Sequence, residues 1–365
     1  MSLIFCDGFD HYAGLYPSNP TSSFNAKGWV CGNIAPFQNG RINGSGGSLF
    51  LYAANTNSAT RYCDQSQQSP WVTVGTAFWH GGNYIGSNQQ KYGQIELSNS
   101  TTSTNFLYVR FDSNGNIYLY NGSNTLLTAL YGVYAATLAN WNYIEIQSLI
   151  ANTGYVSIAI NGNNIIYYSG QTNNGSTNNN VNQLTISDYS NGFNRGLNFD
   201  DLYWNSNTGN YCTGFLGDIR IIPTYPTGVG LTAQLSGSPG NPSGTNWNNV
   251  NNYSGATGTY NYGYTGGLED TYVFSGLNYL NPSYPNVFAK IYGVQVNVLA
   301  MKSDAGNRSI VHLALKSGIY TTGINTYLTN TPVYVSAPFS ADFATSGQLT
   351  ESGVSGTYFG VRIIQ

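Results

Sequence analysis

The first residues to examine for chemistry are the acids, and this chain has only 15 of them in 365 residues. Glycoside hydrolysis needs two carboxyl groups flanking one bond, about 5 Å apart in retaining enzymes and about 6.5–9.5 Å apart in inverting ones. On one strand that spacing means acids at i and i+2 or i+4, which share a face. Glu96 and Glu145 each stand alone in their runs, and Asp200 and Asp201 are adjacent, so on a regular strand they point to opposite faces. A pair assembled from separate strands is beyond the reach of this pattern. The expectation is a protein that is not an enzyme, with no catalytic residue to assign.

The other reactive side chains agree with that expectation. His11, His80 and His312 have no carboxylate or histidine two or four residues on, and no G-x-S-x-G turn marks a nucleophile. Cys6, Cys31, Cys63 and Cys212 are scattered without a C-x-x-C pair, so they read as small buried hydrophobes rather than zinc ligands. A Cys31–Cys63 bridge is one pairing the sequence allows. Asn43-Gly44-Ser45-Gly46-Gly47 lacks the Lys-Ser/Thr of a phosphate-binding loop. Asp200 and Asp201 have two readings. They are calcium ligands completed by backbone carbonyls, or they cap a turn and pair with a nearby arginine such as Arg220. No other cofactor is indicated. Sugar binding would place flat rings under the C–H faces of a saccharide, and the candidates are Trp29, Trp71, Trp79, Trp141 and Trp204. The alternative for each is a place in a core.

These residues sit in a chain whose composition is unusual for an intracellular enzyme. Only 7% is charged, against about 25% in ordinary globular proteins, while 15% is aromatic with 31 tyrosines and 44 glycines. A surface built from hydroxyls, amides and phenols suits extracellular binding and fibre proteins. The net charge is −3 and the cations are scattered from Lys27 to Arg362, so a nucleic-acid partner is not expected. Met1–Gly8 has no positive region ahead of its short apolar stretch and does not read as a signal peptide. No apolar run approaches the length of a membrane span, so no membrane insertion is expected. Release of the protein by lysis, as part of a particle, reconciles the two observations, as does secretion without a cleaved signal.

The elements that must position any site are strands. Phe106–Phe111 and Ile117–Tyr120 flank Asp112-Ser113-Asn114-Gly115-Asn116, and Tyr155–Ile160 and Ile165–Tyr168 flank Asn161-Gly162-Asn163. Asn and Gly accept the positive φ that tight hairpins require. Val156, Ile158 and Ile160 share one face, and Ile144 and Ile146 face away from Tyr143, Glu145 and Gln147, the alternation of antiparallel sheets with one buried face. Helical periodicity is absent, and the expected class is all-β. Prolines 223, 226, 239 and 242 among Gly, Ser and Asn mark residues 223–267 as a connector, although Trp247 and Tyr260, Tyr262 and Tyr264 need surfaces to pack on. Strand signals resume at Thr271–Phe274, Ile291–Val298, Ser309–Leu315 and Tyr358–Ile364.

Three stretches together resemble a recurring architecture of tailed-bacteriophage virion proteins. They are Asp7-Gly8-Phe9-Asp10-His11-Tyr12 with Trp29; Asn198-Phe199-Asp200-Asp201-Leu202-Tyr203-Trp204 leading to Phe215–Pro223; and Glu269–Phe274 with Ile291–Asn297 and Lys302–Ser309. The first two resemble a concanavalin A-like (laminin G-like) jelly roll, and the third resembles the small β-domain that follows it. The resemblance implies a jelly-roll sandwich over 1–222, the connector over 223–267 and a smaller C-terminal β-sandwich over 268–365. It also implies a virion structural protein of tail-fibre or adhesin type, released with the particle. The expected partners are other virion proteins, copies of itself as a trimer, and a host-surface glycan bound by the jelly roll. The alternatives are a capsid-decorating or purely architectural protein and, third, a glycan depolymerase. The resemblance carries no catalytic residues.

Overall fold

The computed structural model describes residues 2–10, 24–25, 28–31, 38–42, 45–52, 57–80, 92–134, 137, 140–189, 196–238, 245–251, 259–275 and 290–364. It divides the chain into two compact units, Met1–Ile221 and Ile222–Gln365.

The first unit is two antiparallel sheets. One has the order β13 (Asn163–Gly170), β12 (Gly154–Ile160), β11 (Asn142–Leu149), β6 (Trp71–Trp79), β15 (Gly196–Ser206), β4 (Ser45–Tyr52) and β3 (Gln38–Ile42), with β1 (Leu3–Asp7) also paired to β15. The other has the order β10 (Leu126–Leu130), β9 (Ile117–Asn121), β8 (Thr104–Asp112), β7 (Tyr92–Asn99), β14 (Gln183–Asp188), β5 (Ser58–Tyr62) and β2 (Trp29–Cys31). Alternation decides what goes inside. Val72, Val74, Phe78, Ile144, Ile146, Val156 and Ile158 from the eight-stranded sheet meet Ile95, Val109, Phe111, Ile117, Leu119, Leu184 and Ile186 from the seven-stranded one in one core. Each contributes on the order of 1.5–3 kcal/mol by leaving water. The residues between them face outward, and those positions carry the polar and phenolic side chains.

Both expected hairpins are present. β12 and β13 are joined by Asn161-Gly162 with φ of 50° and 78°, the two left-handed positions that a two-residue turn needs. β8 and β9 are joined through Asp112, whose Oδ1 accepts from the amides of Asn114 (2.9 Å) and Asn116 (3.0 Å).

The second unit is a six-stranded sheet in the order β16 (Pro226–Ala233), β19 (Glu269–Phe274), β25 (Tyr358–Ile363), β21 (Ser309–Lys316) and β22 (Ile319–Thr322), with β23 (Thr326–Tyr327) also on β21. A ribbon of β20 (Val294–Ala300) and β24 (Val333–Phe339) supplies Ala337 and Phe339 to the same core as Ala314, Phe343, Leu349 and Phe359. Residues 223–267, expected as a connector, instead hold β16, the short pair β17 (Ser236–Gly237) and β18 (Asn261–Tyr262), and helix α1 (Asn246–Val250). The reason is a buried carboxylate. Asp270 Oδ1 accepts from the Leu235 amide (2.9 Å), and its Oδ2 accepts from Asn246 Nδ2 (2.7 Å) and Tyr272 OH (3.1 Å). A Gly/Asn-rich segment is folded here by polar contacts that hydrophobic patterning does not register.

Candidate functional site

The outward positions of the seven-stranded sheet line up in two rows across five strands. One row is Ser58, Ser187, Gln94, Arg110 and Tyr118; the next is Thr60, Thr185, Glu96, Tyr108 and Tyr120. Hydroxyls therefore occupy one side of the face and phenols the other, with an amide, a guanidinium and a carboxyl between them. Arg110 is the centre. Its Nε donates to Gln94 Oε1 at 2.7 Å, and its Cζ lies 4.6 Å from the Tyr120 ring centroid, 4.4 Å from that of Tyr189 and 5.6 Å from that of Tyr108. Tyr189 follows β14 and is held over the face by its backbone N–H, which donates to Tyr92 O (2.7 Å). Each ring–cation contact contributes about 0.5–2 kcal/mol and fixes the guanidinium where a sheet arginine would otherwise sweep through many rotamers. Burial pushes the Glu96 carboxyl above the usual range, against the Ser98 hydroxyl that lowers it. Burial and the neighbouring Asp112 push the Tyr118 phenol up to about 12. The face thus carries flat rings, one cation and a carboxyl that burial raises, while Gln94, Thr185 and Ser187 are themselves buried.

The opposite face of the first unit is occupied along its middle by its own chain. Residues 208–221 fold back over the eight-stranded sheet and are clipped there by Glu145, whose Oε1 accepts from Tyr203 OH (2.5 Å), the Leu216 amide (2.7 Å) and the Gly217 amide (2.9 Å). The Tyr203 ring can lie flat because its strand neighbour is Gly75, where a Cβ would come within 2.2 Å of the ring. Glu145→Ala removes the shared acceptor of three donors, of which the Leu216 amide keeps a longer bond to Tyr203 OH (3.3 Å), and is expected to cost about 3 kcal/mol. Urea unfolding checks this; a loss below 1 kcal/mol would show that the strap is held by its apolar contacts alone.

Asp200 and Asp201 lie beside this strap, and the expectation that they point to opposite faces is corrected. β15 carries a bulge between Asp200 and Tyr203, and Asp201 adopts φ of 49°, which turns both carboxylates toward Arg41. Asp200 Oδ2 accepts from the Arg41 amide (2.8 Å) and its Oδ1 from the Asp201 amide (2.8 Å). Asp201 Oδ1 accepts from the Ile221 amide (2.8 Å), while its Oδ2 faces Arg41 Nη1 at 3.3 Å and Arg220 Nη1 at 3.7 Å. Burial and the charge of Asp201 push the Asp200 carboxyl well up, and burial and Asp201 push Asp10 up to about 7. Every carboxylate oxygen of the pair meets an N–H donor, and two guanidiniums stand where a cation would have to sit, so these residues do not fit calcium. Among the described residues no group of three or more His, Cys, Asp or Glu is placed to hold a metal ion.

The tryptophan candidates separate by face. Trp29 stacks on Phe24 at 5.0 Å and donates from Nε1 to Asp7 Oδ2 at 3.0 Å, and Trp204 is wholly buried; both are core. Trp79 and Trp141 pair at 6.0 Å on the outer face of the eight-stranded sheet. Trp71 is exposed at the other end of that face, near the stacked Tyr155–Tyr167 pair. His80 is buried and stacked on Tyr134, His312 is buried in β21, and His11 lies outside the described residues. None of the four cysteines is in a disulfide, so Cys31 and Cys63 do not bridge. Sequence reasoning read the β8–β9 hairpin but not its outward residues, which strict alternation does mark. Nothing in the sequence places Tyr189 on them.

Two packed antiparallel sheets with a polar, ring-bearing outer face define a concanavalin A-like, lectin-like β-sandwich. Solved structures to which the chain is similar share that architecture. The carbohydrate recognition domain of Emp46p in its potassium-bound form aligns at 8% identity and a TM-score of 0.37, over 56% of this chain and 95% of that one. The alginate lyase vAL-1 from Chlorella virus aligns at 11% identity and a TM-score of 0.38, over 52% and 96%. The endo-β-1,4-glucuronan lyase from the fungus Trichoderma reesei aligns at 14% identity and a TM-score of 0.36, over 48% and 87%. The sequence matches no family profile and no curated protein. The expectation of a non-enzyme is not upheld: lyases stand among these structures, and enzyme status is open. A fold does not fix a function, and the lack of an acid pair on one strand excludes only one arrangement of catalytic carboxyls.

Proposed function

We propose that this chain is a virion protein of a tailed bacteriophage, of tail-fibre or adhesin type, whose first unit binds host-surface glycan on the outer face of the seven-stranded sheet. The observation that carries the reading is the double row of hydroxyl, amide and phenol groups around Arg110. Saccharides are bound by this combination, in which rings cover C–H faces while fixed polar groups take the hydroxyls. The three sequence stretches that resemble phage virion proteins, and a composition with 7% charge, support the setting. In the particle the protein acts with other virion proteins and as a closed homo-oligomer, a trimer. The test is attachment of the full chain to intact host cells, with immunogold labelling of particles. Label at the tail and a Tyr120→Ala/Tyr189→Ala variant that binds about tenfold more weakly, or about 1.4 kcal/mol, are the expected results. Label confined to the capsid, with no cell binding, would make the protein a decoration component instead.

A second reading is favoured by Glu96, whose carboxyl is raised by burial and stands one row from Arg110 on the same face. A carboxyl so placed suits general acid–base work on a bound polysaccharide. Release of oligosaccharide from host envelope by the wild type, lost in Glu96→Gln with binding retained, would establish cleavage; an unchanged polymer would dispose of it.

A further inference from the structure

We infer that the glycan taken by this face carries a carboxylate, as in a uronate or sialate residue, and that Arg110 pairs with it; the inference rests on the glycan reading above. The first unit has four described arginines, and three are committed elsewhere. Arg41 and Arg220 pair with Asp201 and Asp218. Arg61 lies over the Phe5 ring at 4.3 Å, with its Nε buried. Arg110 differs from all of them. Among the described residues it makes no ion pair, its only hydrogen bond is from Nε to Gln94, and Nη1 and Nη2 donate to none of them. A half-buried guanidinium held among rings, with two nitrogens unspent, is a fork prepared for a planar two-oxygen acceptor.

The surroundings favour a single negative charge. No second described cation stands in either row of the face, where a phosphate dianion would call for more positive charge. The nearest acid in those rows is Glu96, diagonal to Arg110, and burial favours its neutral form. Tyr108, Tyr120 and Tyr189 supply rings for the sugar body next to the charge. The whole chain has a net charge of −3 and scattered cations, so it has no general attraction for polyanions. A preference for acidic sugars would therefore originate at this one residue.

The experiment uses the full chain on a glycan array of uronate-containing, sialylated, sulfated and neutral oligosaccharides. Each acidic ligand found is then titrated calorimetrically alongside its methyl ester, against wild type, Arg110→Gln and Arg110→Lys. The expected result is that a carboxylate ligand binds at least tenfold more tightly than its ester. Arg110→Gln removes that difference, and Arg110→Lys, which keeps the charge but not the fork, restores only part of it. Unchanged melting temperatures confirm that the variants are folded. Acid and ester binding equally, a preference that survives Arg110→Gln, or capture of neutral or only sulfated glycans would overturn the inference and leave the glycan reading in place. Failure to bind every glycan on the array and intact host cells alike would overturn both.

Discussion

Arg41→Met is expected to lower the stability of the first unit by about 3–5 kcal/mol at pH 7.5, the usual cost of leaving buried charges without their partner. The side chain of Arg41 is 5% exposed, and it answers Asp201 at 3.3 Å and Asp218 at 2.5 Å while its backbone amide answers Asp200. Methionine keeps much of the volume and removes the charge, so the loss reports on electrostatics rather than on a cavity. In a unit of this size the change corresponds to a melting temperature lower by roughly 10 °C. Adding Asp201→Asn removes the charge left behind and is expected to recover more than half of the loss. Scanning calorimetry of the single and double variants decides it. A single-variant loss below 1 kcal/mol, or no recovery in the double variant, would show that the bulge in β15 is held by its backbone hydrogen bonds alone.

The second large effect is a pair of opposite pH dependences. In the first unit Asp10 is raised to about 7, by burial and then by the charge of Asp201, from an unfolded value near 3.9. A raised carboxyl binds its proton more tightly in the folded state, so its contribution is complete below about pH 4 and is lost as pH rises through 7. That contribution is on the order of 4 kcal/mol, and the raised Asp200 carboxyl acts in the same direction. In the second unit His312 is lowered to about 4 by burial, while its Nε2 donates to Val335 O at 3.1 Å and ties β21 to the ribbon. A lowered histidine takes up its proton on unfolding, so its contribution is complete above about pH 6.5 and disappears as pH falls to 4, a change of about 3 kcal/mol. Asp342, held to about 2 by Lys316, adds to the acid loss at lower pH. Hydrogen exchange of core amides between pH 4 and 8, corrected for intrinsic rates, reads the two units separately. Protection at Ile144 is expected to fall toward pH 8 and protection at Leu313 toward pH 4. Asp10→Asn should flatten the first slope and His312→Gln the second. Parallel slopes in the two units would refute the assignment.

How much of this was legible in advance varies from element to element. Alternation determined the strands, because period-two burial is a local property. Val156, Ile158 and Ile160 had to share a face, and Asn161-Gly162 had to turn the chain after them. The scarcity of charge largely determined the chemistry of the surface, since with 7% charged residues most polar outward positions are hydroxyl, amide or phenol. The tertiary structure alone decided the rest. Asp200 and Asp201 follow the opposite-face rule on a regular strand, and only the bulge and the positive φ of Asp201, fixed by contacts to Arg41 some 160 residues away, bring them together. Residues 223–267 look like linker until Asp270 gathers their amides, because buried polar contacts leave no periodic trace. Arg110 could be placed on the outer face of its hairpin from sequence. Its ring of partners could not, because Gln94, Tyr120 and Tyr189 come from three other segments, and strand order across a sheet is set by which apolar faces close one core rather than by any local signal.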